Sequence, residues 1–444
     1  MKQFFRSYYL TPRVYGGLGV LIAIFILAYV VPWLFYPAEI LTYLFLVAIV
    51  GDSLVLFLNK KGITAERICA EKFSNGDENL VKLVLESRFN FPVQATVYDE
   101  LPEQFQIRDH QFHTALKPLE PIELSYNLRP VKRGSYQFGI INVLVVSPAG
   151  LVRRRFQLGT ERAIAVYPSF VQMRKYELLA ISNQLKEFGV KKIRRIGNNM
   201  EFEQIKNYVS GDDYRKVNWK ATARKGHLMV NQYQEEKSQQ VYSVIDKGRV
   251  MQQPFEGLSL LDYSVNSSLA ISNIALKKGD KAGIVTFQDK VNSMLPASNR
   301  NMQLNLILEH LYKQKTAYKE SDFSRLYITL KRKVNQRALV LLYTNFESLS
   351  SMRRQLPSMR KIAQQHLLVC IFFENTEVDG LINTSANDIE DVYTKGIAEQ
   401  LVFEKKQIVK ELKSHGIHTI LTPPKELSVN TINKYLELKS RGLI

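Results

Sequence analysis

The sequence is poor in cysteine, in acidic residues and in glycine-rich phosphate loops. Its two cysteines, Cys69 and Cys370, are too few for a disulfide framework. The nearest glycine clusters, Gly16-Gly17 and Lys277-Lys278-Gly279-Asp280, lack the Gly-x-x-x-x-Gly-Lys-Ser/Thr spacing that cradles a phosphate. A nucleotide hydrolase of the P-loop class is therefore not expected.

Basic residues outnumber acidic ones by 60 to 42, which gives a formal net charge of +18. Such a molecule is attracted to anionic lipid, nucleic acid or an acidic partner, and charge alone does not choose among them. Hydrophobic residues at 45% and charged residues at 23% are typical of a folded protein. Because 444 residues exceed what one core usually holds, two or three structural units are expected.

Two long apolar runs lie near the start of the chain. The first, Val14 to Tyr36, has no charged residue, and at about 1.5 Å per residue it spans a hydrocarbon core of roughly 30 Å. The second, Ile40 to Leu58, follows Tyr36-Pro37-Ala38-Glu39, which is enough for a tight helical hairpin. The positive-inside rule places both flanks in the cytoplasm, because basic residues border the pair on both sides: Lys2, Arg6, Arg13, Lys60, Lys61 and Arg67.

The alternative to this membrane hairpin is a cleaved signal peptide. The first run is too long for one, and no small-residue cleavage site follows it. Asp52 lies inside the second run, where a carboxylate is costly and marks a functional or helix-pairing position by default. The other interpretation of Asp52 is a place near the cytoplasmic interface, or protonation.

A period of two replaces the long apolar runs between Thr64 and Thr160. Short alternating segments end at turns, one of them Lys132-Arg133-Gly134, as in a β-sandwich. An immunoglobulin-like sandwich of about a hundred residues is predicted, acting as a spacer or docking surface. His110 and His113 have a spacing compatible with a metal, but they lie in a polar stretch without cysteine, which favours an exposed turn.

The stretch from Phe202 to Arg224 mixes polar and aromatic residues too densely for a plain core helix. A turn is predicted at Gly211-Asp212-Asp213, and Asp213 is expected to cap a short helix from Tyr214 that places Val217 and Ala221 on one face. One interpretation is a recognition surface lined by Asp, Arg and Trp. The other is a hydrogen-bonded brace joining the soluble domains, since neighbouring Asp and Arg usually satisfy each other.

Strands and helices alternate after residue 240. Predicted strands are Val241 to Asp246, Lys281 to Phe287, Arg337 to Thr344, Leu367 to Phe373 and Ile417 to Leu421. Predicted helices are Leu258 to Lys278, Met302 to Tyr312, Met352 to His366 and Asp388 to His415, with a last helix at the end. This alternation predicts an α/β domain with a mostly parallel, doubly wound sheet, whose ligands sit at the carboxyl ends of the strands.

The segment from Tyr208 to Arg224, followed by Val241 to Asp246, resembles the bacterial family called domain of unknown function 58. The similarity covers about residues 130–444. The motif positions are Gly211, Asp212, Asp213, Arg215, Asn218, Trp219, Lys220 and Arg224. The resemblance implies a von Willebrand A-like domain after two membrane helices in the bacterial inner membrane, and genes beside those of MoxR-type AAA+ ATPases. The expected divisions are residues 1–60, a transmembrane hairpin; 61–160, the sandwich; 161–240, the signature segment and connector; and 241–444, the von Willebrand A-like domain.

A working von Willebrand A site holds Mg²⁺ with an Asp-x-Ser-x-Ser motif, a Thr and a second Asp, since hard oxygen ligands suit that ion. Here the first motif reads Asp246-Lys247-Gly248-Arg249-Val250, so both serines are replaced and two cations are added. The degenerate positions are Asp246, Gly248, Val250, Ser321 in place of the Thr, and Asn345, which follows Thr344. No metal or other cofactor is expected, and Asp246 is predicted to form a surface ion pair with Lys247 or Arg249.

Three functions remain open on the sequence. The first is a non-enzymatic, membrane-anchored adaptor that docks a partner protein, a MoxR-type ATPase by the resemblance. The second is a metal-dependent enzyme that uses a remnant ion site near Asp246, Thr344 and Asn345. The third is a nucleic-acid surface at Arg153-Arg154-Arg155 and Lys191-Lys192-Ile193-Arg194-Arg195. The adaptor is favoured and nucleic acid is not expected, because these basic runs lack interleaved aromatics and membrane lipid is a nearer anionic target.

Overall fold

The computed structural model describes residues 6–59, 62–181, 200–210, 212–235, 238–316, 318–375, 378, 380, 382 and 388–444. Contacts between Cα atoms divide the chain into two compact units, Met1–Tyr167 and Pro168–Ile444. The four-part division at residues 60, 160 and 240 stays a prediction. Lys2, Lys60 and Lys61, three of the cations that border the apolar runs, lie outside the described residues.

Two apolar helices come first: α1, Pro12–Val30, and α2, Phe35–Phe57. Both are long and apolar enough to cross a membrane. They are separated by a 3₁₀ turn over Pro32–Leu34, so the predicted break at residues 36–39 is wrong. Proline disfavours helical backbone at the residue before it, and Val31 accordingly has φ −123° and ψ 87°. Pro37, by contrast, lies in the first turn of α2, where its missing N–H costs no hydrogen bond.

The predicted β-sandwich forms the rest of the first unit. Its strands are β1 Tyr8–Leu10, β2 Ile63–Cys69, β3 Lys72–Ser74, β4 Asn79–Ser87, β5 Val93–Asp99, β6 Gln111–Leu116, β7 Pro121–Leu128, β8 Gly134–Phe138, β9 Ile141–Val146, β10 Val152–Leu158 and β11 Arg162–Tyr167. They form a five-stranded sheet β1-β10-β9-β5-β6 and two three-stranded sheets, β2-β4-β7 and β3-β11-β8. Alternate residues such as Leu83, Leu85 and Val143 are fully buried in a shared core, as the period of two predicts.

Sequence periodicity did not predict β8 or β1. β8 begins at Gly134, within the predicted turn at residues 132–134, and it pairs with β11. β1 precedes α1, yet it pairs antiparallel with β10, which follows α2, with Leu10 opposite Val152. Strands of three to five residues are too short to show a periodic signal, and their partners are distant in the chain.

The second unit is an α/β domain. Its helices are α3 Phe170–Ile181, α4 Trp219–Lys225, α5 Leu260–Lys277, α6 Gln303–Tyr312, α7 Phe323–Lys333, α8 Leu349–Gln365, α9 Ile389–Ser414 and α10 Leu427–Ser440. Its strands are β12 Met200–Asn207, β13 Met229–Glu235, β14 Gln240–Asp246, β15 Pro254–Phe255, β16 Leu258–Ser259, β17 Lys281–Phe287, β18 Val291–Ser298, β19 Leu339–Tyr343, β20 Leu367–Phe373 and β21 His418–Thr422.

The main sheet has the order β18-β17-β14-β19-β20-β21. All its pairings are parallel except that of the edge strand β18 with β17. Two hydrophobic cores lie on its two faces, one with α5, α6 and α10 and the other with α7, α8 and α9. The mostly parallel sheet with helices on both faces is confirmed, while β18 and α7 were missed.

Candidate functional site

The carboxyl ends of β14 and β19 bring the predicted site residues to one edge of the sheet. Asp246 is the last residue of β14, and Ile245 pairs with Tyr343 at the end of β19. The hydroxyl of Thr344 therefore reaches the carboxylate and donates a hydrogen bond to Oδ2 over 2.7 Å. Asp246 is only 1% exposed, so its carboxylate lies in the protein interior.

Neutral donors also occupy the other oxygen of Asp246. Oδ1 accepts hydrogen bonds from the backbone N–H of Gly248, at 2.8 Å, and from the Ser321 hydroxyl. Burial raises the pKa of the Asp246 carboxyl, and these hydrogen bonds act in the opposite direction. Among the described residues the carboxylate forms no ion pair, and Arg249 instead pairs with the exposed Glu347 at 3.6 Å. The predicted surface ion pair of Asp246 is therefore wrong.

The remaining degenerate positions have other surroundings. A Cβ atom at Gly248 would collide with Ser321 Oγ, so close packing leaves no room for a side chain there. Val250 lies in the 3₁₀ turn Arg249–Met251 and packs against the hydrophobic core. Asn345 accepts hydrogen bonds from the Phe346 N–H and from Lys405 Nζ. The structure thus brings Ser321 and the Gly248 backbone into hydrogen-bond contact with Asp246, whereas Val250 and Asn345 line the cavity beside it.

A cavity of about 80 Å³ opens beside Asp246. Its exposed rim carries two loose ion pairs, Arg249 with Glu347 at 3.6 Å and Arg354 with Glu320 at 3.8 Å. Over the described part of the chain, no three His, Cys, Asp or Glu side chains converge as they would around a metal ion. A lone carboxylate held by three neutral donors is suited to joining the strand ends to the following loops.

A second cavity, of about 220 Å³, lies along the same edge and was not predicted. Lys405 of α9 enters it and donates hydrogen bonds to Asn345 Oδ1 at 2.8 Å and to the Phe346 carbonyl at 2.6 Å. Burial lowers the pKa of Lys405 to about 8, and the nearby Glu347 opposes this shift. The sequence does contain a signal, since Lys405 falls at helical spacing with buried Ile408 and Leu412.

The signature segment forms two short helical turns instead of the single predicted helix. Asp213 caps a 3₁₀ turn over Tyr214–Lys216, because its carboxylate accepts from the Arg215 N–H at 3.0 Å. Asn218 then caps α4 by accepting from the Ala221 N–H at 3.0 Å. The predicted cap at Asp213 is confirmed, but the Asn218 cap was missed. Val217 and Ala221 therefore do not share one helix face.

This segment is tied to the β12–β13 hairpin. The Asn218 side chain donates to Asn231 at 2.8 Å, and the Thr222 hydroxyl accepts from the Met229 N–H at 3.0 Å. Asp212 pairs with Lys206 at 3.1 Å and accepts from the Val209 N–H, and these contacts lower the pKa of its carboxyl. The mutual Asp and Arg pairing expected of a brace is not seen in the described residues.

The outer side of the signature segment is aromatic and basic. Tyr214 and Trp219 are each 71% exposed, and the Arg215 guanidinium lies 5.8 Å from the Tyr214 ring. Lys220 and Arg224 of α4 are also exposed. Gly211 lies outside the described residues. We call Tyr214, Arg215, Trp219, Lys220 and Arg224 the signature surface.

Asp52 joins the second apolar helix to the sandwich. Its Oδ2 accepts hydrogen bonds from the Ser147 hydroxyl and from the N–H groups of Leu151 and Val152, both at 3.1 Å. Arg154 donates to the carbonyls of Leu56 and Asn59 at the end of the helix. Asp52 therefore contacts the β9–β10 turn within the first unit, in agreement with a place near the end of the span.

The other predicted clusters are dispersed. His113 belongs to β6 rather than to a turn and bonds Thr96 Oγ1 at 3.1 Å, while His110 packs between the rings of Phe112 and Tyr126. The three consecutive arginines lie on β10, where successive side chains point to opposite faces, so they do not form one basic surface. The second basic run, residues 191–195, lies outside the described residues.

Comparisons with known proteins support the family resemblance of the signature segment. Residues 204–399 match the family model described as "Protein of unknown function DUF58", which confirms the predicted resemblance over a shorter range than the expected 130–444. The "Uncharacterized protein YeaD" of Bacillus subtilis is 24% identical over 244 residues, covering 53% of this chain and 58% of that relative. The chain thus spans less than two thirds of that protein's length.

Two solved structures are similar to parts of the chain. A CARDB domain of the PF1109 protein from Pyrococcus furiosus, solved with di-metal ions, has 16% identity, covers 23% of this chain and 86% of its own, and gives a TM-score of 0.18. The conserved hypothetical protein BatB from Bacteroides thetaiotaomicron has 12% identity, covers 46% of this chain and all of its own, and gives 0.28. Both TM-scores are low, and the fold of this chain is defined by its own strand pairing.

Proposed function

We propose that this chain, which carries a DUF58 segment behind two apolar helices, is a membrane-anchored adaptor that docks a partner protein. One observation carries the proposal. The edge of the sheet where an α/β domain usually binds ligands holds a buried carboxylate whose two oxygens are occupied by Gly248, Ser321 and Thr344. The signature surface, by contrast, is exposed and aromatic, as protein-docking surfaces often are.

The second unit is, in this proposal, a von Willebrand A-like domain with a degenerate metal site. A parallel sheet of order β18-β17-β14-β19-β20-β21 with one antiparallel edge strand supports that fold. Mg²⁺ prefers several oxygen lone pairs in octahedral geometry. Here Ser321 and Thr344 direct their hydroxyl protons at Asp246, and Gly248 has no side chain, so these residues do not fit the ion. The chain is accordingly proposed to act without metal or cofactor, and not as an enzyme.

The pairing of β1 with β10 supports a two-span topology. β1 precedes α1 and β10 follows α2, and hydrogen-bonded strands must lie on the same side of a membrane. We therefore place both the segment ahead of α1 and the soluble domains in the cytoplasm, as the positive-inside rule also predicts. Arg6, Arg13 and Arg67 are the flanking cations among the described residues. Anionic lipid is the expected neighbour of Arg6 and Arg13, whereas Arg67 is buried in an ion pair with Asp99. Nucleic acid is not expected as a partner.

A MoxR-type AAA+ ATPase is the partner that the family resemblance implies. The test is co-purification of the detergent-solubilised chain with the products of neighbouring genes at physiological salt. Retention of such an ATPase by the wild type, and its loss from a Tyr214→Ala/Trp219→Ala variant, is the expected result. An Ile328→Ala variant truncates a large exposed apolar side chain on α7 and serves as the control. Failure to retain any partner would count against the adaptor function.

A further inference from the structure

β21 is an edge strand of the main sheet. β21 pairs in parallel with β20, and no other strand in the described part of the chain pairs with it. A groove of about 550 Å³ runs along it between α9 and α10. Its lining residues are Lys406, Val409, Lys413, Thr419, Ile420, Leu421, Asn430, Asn433, Lys434 and Glu437. A sheet edge at the floor of a groove is the setting in which an extended peptide adds as a further strand.

Backbone hydrogen-bonding groups point into this groove. The Thr422 carbonyl accepts from the Glu374 N–H at 3.0 Å, so Thr422 directs its backbone groups toward β20. Because the direction alternates along a strand of a parallel pair, Thr419 and Leu421 direct their N–H and C=O groups outward. The Thr419 hydroxyl is also buried without a hydrogen-bond partner among the residues described. The outward backbone groups of Thr419 and Leu421 form the unpaired row that a further strand would satisfy.

The charge of the groove determines which kind of peptide strand it attracts. Lys406 and Lys413 are seven residues apart on α9, so they lie on the same face of the helix. Neither has an acidic partner within the described ranges. Lys434 pairs with Glu437 at 3.2 Å, and Glu437 also pairs with Arg441 at 2.9 Å, so the one acidic side chain that lines the groove in the described part of the chain is neutralised. The groove therefore carries a net positive charge along β21.

We infer that the groove between α9 and α10 binds an extended acidic segment of a partner protein, which pairs with β21 as an added strand. Side chains alternate along such a strand, so acidic residues two or four positions apart face Lys406 and Lys413, while the intervening residues face α10. The inference rests on the proposed adaptor function and deepens it, since it specifies the form in which a partner segment is held.

The probe is an eight-residue, fluorescein-labelled peptide in which glutamate alternates with valine. Its fluorescence anisotropy is measured against the full chain in a non-ionic detergent at low salt. Saturable binding is expected, with weaker binding of the same peptide carrying lysine in place of glutamate. Saturable binding should also be lost when the peptide backbone is N-methylated at alternate positions on the side that pairs with β21, because that peptide cannot form the ladder.

Two matched substitutions test the backbone pairing. Thr419→Pro removes the outward N–H and leaves the pairing of β21 with β20 intact, so binding should weaken about fivefold, the cost of one hydrogen bond. Thr419→Val keeps the N–H and the shape, and its affinity should stay within about twofold of the wild type. Equal binding by the wild type and a folded Thr419→Pro variant would overturn the inference.

The charges are tested independently of the strand. Lys406→Glu/Lys413→Glu should weaken binding about tenfold at low salt, whereas Lys331→Glu/Lys395→Glu reverses as many charges outside the groove and should not. If circular dichroism shows Thr419→Pro to be unfolded, the comparison of these two charge-reversal variants tests the inference instead. Absence of saturable binding, or equal binding of the lysine peptide, also overturns the inference. Peptide binding and partner co-purification are separate readouts, so failure of this site and failure of the adaptor function are distinguishable.

Discussion

Asp246 is buried and accepts three hydrogen bonds, and these contacts indicate a structural role. Thr344 and Ser321 lie 98 and 75 residues away in the chain, and the Gly248 N–H completes the set. A buried polar group costs free energy when its partner is removed, because the remaining donors lose hydrogen bonds that water cannot replace. The carboxylate therefore joins β14, β19 and the loop before α7.

Replacing Asp246 should expose this structural role. Asp246→Ala leaves three donors unpaired and should lower the free energy of unfolding by about 1–3 kcal/mol, whereas Asp246→Asn retains an acceptor and should cost less. Thermal melting of the full chain in detergent measures both. Calorimetry with Mg²⁺ should give no saturable heat for the wild type. Micromolar binding that is lost in Asp246→Ala would contradict this prediction and revive the metal-dependent enzyme.

The burial of Lys405 makes the stability of the folded protein depend on pH. Its pKa is lowered from 10.5 to about 8 by burial. Between these values the unfolded chain holds the proton and the folded chain does not, so the contribution of Lys405 to stability rises with pH. The melting temperature of the wild type, measured relative to Lys405→Met, should therefore increase from pH 7 to pH 10. Lys405→Arg, which stays charged, should show no such increase, and a decrease in the wild type would refute the assignment.

At the scale of elements, the second apolar helix and the sandwich are joined by two opposite charges. Asp52 receives the N–H groups of the β9–β10 turn, and Arg154 donates to the carbonyls at the end of α2. A cation at a helix C-terminus also interacts favourably with the helix dipole. This contact fixes the direction in which the chain leaves α2.

Asp52→Ala should loosen this connection. Leu151 and Val152 would lose the acceptor for their N–H groups, which should cost about 1–3 kcal/mol. The melting temperature of the full chain and the protease sensitivity of the β9–β10 turn are the measurements. Gly51→Ala, on the preceding residue and with open space around it, serves as the control. Alanine suits a helix interior better than glycine, so this variant should neither lower the melting temperature nor increase the protease sensitivity. An unchanged melting temperature in Asp52→Ala would show that the contact carries no stability.

The elements also show where sequence reasoning succeeds. The apolar runs from Lys281 to Phe287 and from Leu367 to Phe373 were predicted to the residue, because strands buried on both faces read as continuous apolar runs. The edge strand β18 was missed, since its partly exposed residues alternate weakly. The helix α7 was missed as well, although the sequence contains its capping residue: Asp322 accepts hydrogen bonds from the N–H groups of Ser324 and Arg325.

For the whole molecule, the pairing of β1 with β10 restricts the membrane topology. Tyr9 of β1 should lie on the same side of the membrane as the domains that follow α2. Tyr9→Cys in a Cys69→Ala/Cys370→Ala background should react with a membrane-impermeant maleimide only in inside-out vesicles. Trp33→Cys, in the turn between the helices, should react only in right-side-out vesicles. The same labelling pattern for both positions would refute the two-span topology.

The sequence by itself determined the two apolar helices, the β-sandwich, the parallel sheet and the family signature, because each depends on local spacing of apolar residues or on a contiguous motif. Only the tertiary structure decided that Asp246 is buried among Ser321, Thr344 and Gly248, that Lys405 is desolvated, and that β1 and β10 pair. These features depend on contacts between residues far apart in the chain, and the free energy of such contacts comes from burial and geometry that no local pattern specifies.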